Sequence, residues 1–191
     1  MDDIVRQAMA KWPNVPFAYG WLGLDARGAW YLRDAGAQAA GGFASGVAPA
    51  KGSLIEHAKL LSFIGRNYQP DDDGQWFFQN GPQRAYVELE VAPHVFRFGA
   101  ESGNAAADAL ALTSHTGAAA VARACLVDER GWLYFDSDIG LGLLHSLEVS
   151  RLADLIEQGH WQPETVAAAT LPKRFGFVLS PAAQQPAAVK K

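Results

Sequence analysis

A single cysteine, Cys125, is all the thiol chemistry this chain of 191 residues holds, so an intrachain disulfide and a multi-cysteine zinc site are excluded. Its setting, Ala-Arg-Ala-Cys-Leu-Val, is that of a strand nearing a turn, and it reads as a buried structural thiol. Long apolar runs are also missing. No window approaches the length of a membrane span, which argues against a membrane partner. The first residues, Met1-Asp-Asp-Ile-Val-Arg, carry acid where a signal peptide would carry base, so a cytoplasmic location is expected. Positive charge is scarce: the net charge is −4, and the closing pair Lys190-Lys191 is too small to displace counterions from a duplex. Nucleic acid is therefore not expected as a partner. With 49% apolar and 19% charged residues, the chain belongs with folded globular proteins.

The organising stretch is Asp25-Ala-Arg-Gly-Ala-Trp-Tyr31, which recurs as Asp128-Glu-Arg-Gly-Trp-Leu-Tyr134. Each reads as a hairpin, with Asp at the head of the turn, Gly taking positive φ, and apolar residues on both sides. Two later matches follow in the same order. Lys59-Leu60 and Phe63-Ile64 pair with Arg151-Leu152 and Leu155-Ile156, then Pro82-Gln-Arg84 pairs with Pro172-Lys-Arg174. Collinear matches of agreeing type predict an internal duplication of a β-β-α-β unit. The competing explanation is that hairpin–helix–strand is common architecture. The fold class expected is α+β: two related halves, antiparallel hairpins each crossed by a helix, and an N-terminal helix over 2–12. The halves are expected at 1–98 and 110–180, with a disordered tail at 181–191.

Between the elements, 35–50 is a run of Ala and Gly that reads as a mobile surface loop, either a tolerated insertion or a lid. Ser53-Leu-Ile-Glu56 has the form of a capping box for a helix over 54–64. Asn80-Gly81 marks a second hairpin, whose longer strand alternates dry Ala85, Val87, Leu89 and Val91 with wet Arg84, Tyr86, Glu88 and Glu90. His94 to Phe98 is read as an edge strand, 99–109 as the loop between halves, and Phe175 to Leu179 as a closing strand. Asp71-Asp-Asp-Gly74 fails as a calcium loop because its twelfth position is Pro82.

No strong catalytic motif is present. None of the five histidines has the spacing of a zinc protease, and neither Gly20-Trp-Leu-Gly23 nor Gly140-Leu-Gly142 has the lysine of a phosphate loop. No metal or cofactor is expected. Thr113-Ser-His-Thr-Gly117 has the composition of an anion cradle or of an ordinary turn. The candidate binding residues are Arg66, Asn67, Tyr68, Trp76, Gln79, Asn80 and Arg84, with His115. Two guanidinium groups among amides and an aromatic wall suit a carboxylate-bearing ligand, so an anionic small molecule or a peptide is the expected partner.

Five stretches resemble an uncharacterised proteobacterial family of about this length. They are Lys11-Trp-Pro-Asn-Val-Pro with Tyr19-Gly-Trp21, Phe63-Ile-Gly-Arg-Asn-Tyr68, Trp76-Phe-Phe-Gln-Asn-Gly-Pro-Gln-Arg84, Ser114-His-Thr-Gly117 and Gly142-Leu-Leu-His-Ser146. The hairpin–helix–hairpin plan is more loosely similar to another uncharacterised bacterial family with repeated α+β motifs, a resemblance that implies a link to signalling. Neither brings a catalytic residue. The expected function is a non-catalytic binding or regulatory protein. The alternative is a small-molecule enzyme using His57, His115 or His145 with Arg84.

Overall fold

The computed structural model describes residues 1–100 and 102–185, which fall into two compact units. The chain is a mixed α+β protein with two six-stranded sheets, one in each unit. Unit 1 comprises Met1–Asp25, Trp30–Glu90 and the chain from Phe177; unit 2 comprises Ala26–Ala29 and Val91–Gly176.

Unit 1 opens with helix α1 (Asp3–Lys11), followed by strands β1 (Ala18–Leu24) and β2 (Trp30–Leu32). Helices α2 (Ala35–Ala40) and α3 (Ala48–Lys51) come next, then the short strand β3 (Ser53–Leu54) and helix α4 (Ala58–Arg66). Strands β4 (Tyr68–Pro70), β5 (Trp76–Asn80) and β6 (Gln83–Leu89) complete a sheet of order β3-β2-β1-β6-β5-β4. All its pairs are antiparallel except β1 with β6. Because β6 is interior, its burial does not alternate: Tyr86, Val87, Glu88 and Leu89 are all buried. The expected wet face is covered, and Glu88 is satisfied by Ser180 Oγ and the Ala182 amide.

Those last contacts correct the tail. Pro181 is buried, Ala182–Gln184 forms a single 3₁₀ turn, and only residues beyond 185 lie outside the description. Phe177 to Ser180 is not a strand of either sheet, although Val178 donates to Gly74 and Leu179 accepts from Leu89.

The Ala/Gly segment is also a correction. It contains α2 and α3, and Ala37, Phe43 and Ala50 are buried. Arg33 explains why. Its buried guanidinium donates to the carbonyls of Ala50 (2.7 Å), Gly41 (2.6 Å), Gly20 (3.2 Å) and Ala37 (3.4 Å). One cation thereby satisfies backbone acceptors that small side chains could not reach. Phe43 lies so close to Gly23 that a Cβ there would meet its ring at 2.4 Å.

The helix expected at 54–64 starts later. Ser53 and Leu54 pair with β2, and His57 is the cap instead, its Nδ1 accepting from the Leu60 amide. Sheet pairing outcompeted the local capping box.

Unit 2 holds strand β7 (His94–Phe98), helix α5 (Ala105–Leu110) and strands β8 (Ala111–Ser114), β9 (Ala119–Val127), β10 (Leu133–Ser137) and β11 (Gly140–Leu144). Helix α6 (Val149–Glu157), strand β12 (Glu164–Thr165) and helix α7 (Leu171–Phe175) follow. The sheet order is β10-β11-β7-β8-β9-β12, and a further β10–β9 pairing closes it into a barrel. β7, expected at an edge, lies between β11 and β8, and the expected 99–109 loop contains most of α5. Phe96, Phe98, Leu112, Cys125, Phe135 and Leu144 form the barrel core together with Leu152 and Leu155 of α6. Leu152 is fully buried, so Leu152→Ala is expected to cost about 2–5 kcal/mol in denaturant unfolding. A loss under about 1 kcal/mol would contradict its role in the core.

Candidate functional site

The candidate site is a groove of about 430 Å³ in unit 1, between α4 and one face of the sheet. A β-bulge creates its wall. β1 spends Ala18 to Leu22 against only Ala85 to Val87 of β6, and Gly20 takes φ 76° inside the irregularity. A bulge re-aims side chains, and here Trp21 lines the groove together with its chain neighbour Leu22. Trp21 remains 46% exposed, although a large aromatic in a central strand is ordinarily covered. Leu32 of β2, Ile55, and Leu60 and Ile64 of α4 complete the apolar lining with Phe78 and the alanines at 18 and 85. Phe63 packs edge-on against Phe78 with ring centroids 5.3 Å apart, fixing α4 over the strand. Two polar residues reach the groove, Asn80 and Gln83, which face each other across the β5–β6 ladder.

Of the eight residues singled out from sequence, Asn80 lines this groove. Arg66 faces elsewhere, bonding both carboxylate oxygens of Asp2 (3.2 and 3.3 Å) and Ser62 Oγ (2.6 Å). The Arg66 guanidinium holds the Asp2 carboxyl below its ordinary range. Asn67 is buried and accepts from the Asp2 amide while donating to the Phe63 carbonyl, so these two residues fasten α1 to α4. Tyr68 and Trp76 pack in the core at 4.7 Å, and burial pushes the Tyr68 hydroxyl well up. Gln79 is buried, with Nε2 donating to the Gly81 carbonyl. Arg84 stacks over Phe77 at 4.5 Å and Phe17 at 5.4 Å. The short link between α4 and β5 therefore brings Asn67 and Gln79 together through a backbone hydrogen bond.

His115 belongs to unit 2. The 113–117 cluster is the β8–β9 turn, closed by Gly117 N–H to the Ser114 carbonyl, with Ser114 Oγ and Thr116 Oγ1 at 2.7 Å. His115 pairs with Val95 through its amide and Nδ1, and its ring stands 6.0 Å from that of His94. Burial drives His115 down to about 3 and His94 to about 4, so both rings are neutral at neutral pH.

Trp21, Leu60 and Gln83 were not among the site residues chosen from sequence. The available signal was a tryptophan between glycines, Gly20-Trp-Leu-Gly23. Its exposure depends on the register of β1 with β6, a long-range pairing. Among the described residues, no cluster of three His, Cys, Asp or Glu is placed to hold a metal, and no helix is long and apolar enough to cross a membrane.

The DUF2944 family model, described as a protein of unknown function (DUF2946), matches residues 1–182. The chain belongs to this family. Among solved structures, the DUF2944 chain is similar to a DUF1285 family protein from Silicibacter pomeroyi DSS-3, at 15% identity and a TM-score of 0.48. That match covers 81% of this chain and 85% of the other. A DUF1285 family protein from Shewanella baltica OS155 matches at 13% identity and a TM-score of 0.44, over 74% of this chain and 97% of that one. No curated protein matches the DUF2944 chain.

Proposed function

We propose that this DUF2944 chain is a non-catalytic binding protein whose ligand occupies the Trp21 groove of unit 1. The observation that carries the reading is the bulge at Gly20, which holds a half-exposed tryptophan against an otherwise aliphatic trough. The groove's volume falls in the range of small-molecule sites, which are mostly apolar with a few polar groups to orient the ligand. The enzyme alternative draws no support from the histidines. His57 and His145 cap helical turns through Nδ1, and His115 is half-buried with its Nδ1 accepting from the Val95 amide. A cytoplasmic setting accords with a lone, free, buried cysteine.

Nile red, a neutral dye that brightens in apolar surroundings, tests the site. It is expected to bind saturably, and Trp21→Ala or Leu60→Glu should weaken binding at least tenfold while leaving the melting temperature within a few degrees. Unchanged binding in both variants would reject the groove.

The duplication belongs to the same proposal. Tyr31 donates to Asp25 Oδ2 at 3.4 Å, and Tyr134 donates to Asp128 Oδ2 at 2.9 Å, across hairpins of equal loop length. A third strand pairs antiparallel in each case, and a later strand pairs parallel with the first: β6 with β1, and β12 with β9. Related sequences in which the two Asp–Tyr pairs never occur together would count against a common origin.

A further inference from the structure

We infer that the ligand of the Trp21 groove is an uncharged amphiphile, an aliphatic body ending in a neutral hydrogen-bonding group such as a hydroxyl or amide. This rests on the groove being the binding site and goes on to the chemistry it selects. Among the described residues, no charged side chain lines the groove. The nearest cations along the chain are committed elsewhere or point away. Arg66 is bound to Asp2 and Ser62, Arg84 is stacked on Phe77 and Phe17, and Lys59 is exposed and outside the lining. An anion drawn into this trough would lose water and find no counter-charge, which is among the costliest arrangements in a protein. A cation would fare no better, because no carboxylate of the described residues lines the groove either.

What the groove does offer is a pair of neutral amides at one place. Asn80 and Gln83 sit opposite each other on β5 and β6, and each amide presents both a donor and an acceptor. Gln83 Nε2 already donates to the Pro16 carbonyl at 3.0 Å, which orients its amide and leaves Oε1 as the acceptor to be shared. A ligand hydroxyl can donate to that oxygen and accept from Asn80 Nδ2, and a ligand amide can do the same through its N–H and its carbonyl oxygen. The rest of the lining is a track of Leu, Ile and Ala with the Phe78 ring and Trp21, whose indole N–H is a donor and not an acceptor.

The test is displacement of Nile red at pH 7.5 by three probes of equal chain length: 1-decanol below its solubility limit, and decanoate and decyltrimethylammonium below their micellar concentrations. The expected result is displacement by decanol at least tenfold more effective than by either ion. Gln83→Leu should cut the decanol advantage about threefold or more while retaining Nile red. Gln83→Lys should reverse the order in favour of decanoate. Decanoate displacing as well as decanol from the wild-type chain would overturn the inference and leave the groove standing as a binding site. An absence of saturable Nile red binding would instead remove the groove itself.

Discussion

Replacing Arg33 with methionine is expected to lower the unfolding free energy by about 3–5 kcal/mol, the largest single loss anticipated in this chain. Methionine keeps most of the volume and removes the guanidinium, so the carbonyls of Gly20, Ala37, Gly41 and Ala50 lose their donor together. Burial lowers the affinity of Arg33 for its proton, with the Glu88 carboxylate opposing that effect, and the group stays charged. The change should also loosen α2 and α3. Amides at 35–51 would then exchange with solvent faster than those of β5 and β6 under native conditions. Denaturant unfolding with hydrogen exchange checks both. A loss below about 1 kcal/mol would show that the segment is held by Phe43 and the alanines alone. By the same physics, deleting 37–48 removes Phe43 and two of the four carbonyl partners, so that deletion is expected to unfold unit 1.

Acid should destabilise unit 2 well before its carboxylates titrate. His94 and His115 are neutral when folded, with values near 4 and 3 set chiefly by burial, against about 6.5 in an unfolded chain. Their folded values are depressed, so the unfolded state binds more protons as pH falls through 6.5. Stability is complete above that point and drains away on the way to pH 4. Two such groups give a slope of roughly 2 kcal/mol per pH unit between pH 6 and 4.5, several kcal/mol in all. Around the pair, His94 Nε2 meets the Ile139 carbonyl, Phe96 stacks on the His94 ring, and the Val95 amide donates to His115 Nδ1. Melting temperatures should hold nearly level from pH 7.5 to about 6.5 and then fall towards pH 5.0, and His94→Phe should roughly halve the slope of that fall. A flat profile down to pH 5 would mean that water or a counter-charge reaches the rings.

The parts of this protein legible in sequence are those decided within a few residues. Asp25 and Asp128 head their hairpins, and at the second the carboxylate accepts from the amides of Arg130 and Trp132 and from Tyr134. The Asp71–Gly74 turn and the α1 helix are likewise local, and hairpins with interspersed helices were enough for an α+β reading. What was illegible depends on partners far along the chain. Ser53-Leu-Ile-Glu56 has every feature of a capping box, yet Ser53 pairs with Leu32 and the helix waits for His57. Residues 35–50 look empty because the side chain that anchors them, Arg33, lies outside the segment. β11 escaped notice because Gly140 and Gly142 argue against a strand, whereas Gly142 is needed there to let the Phe96 ring pass, a Cβ meeting it at 2.3 Å. The candidate site suffered most. Arg66, Tyr68 and Trp76 attract attention as polar and aromatic residues in proximity, and folding places them in an ion pair and in the core. Trp21 became a wall only through a bulge whose position no local pattern announces.

The groove account is tested most directly by an amide ¹H–¹⁵N NMR titration of the full chain with 1-decanol. The expected result is saturable shifts clustered on Trp21, Leu22, Leu60, Ile64, Phe78, Asn80, Gln83 and Ala85, absent in Leu60→Glu. Shifts confined to unit 2, or none at concentrations that saturate Nile red displacement, would contradict it.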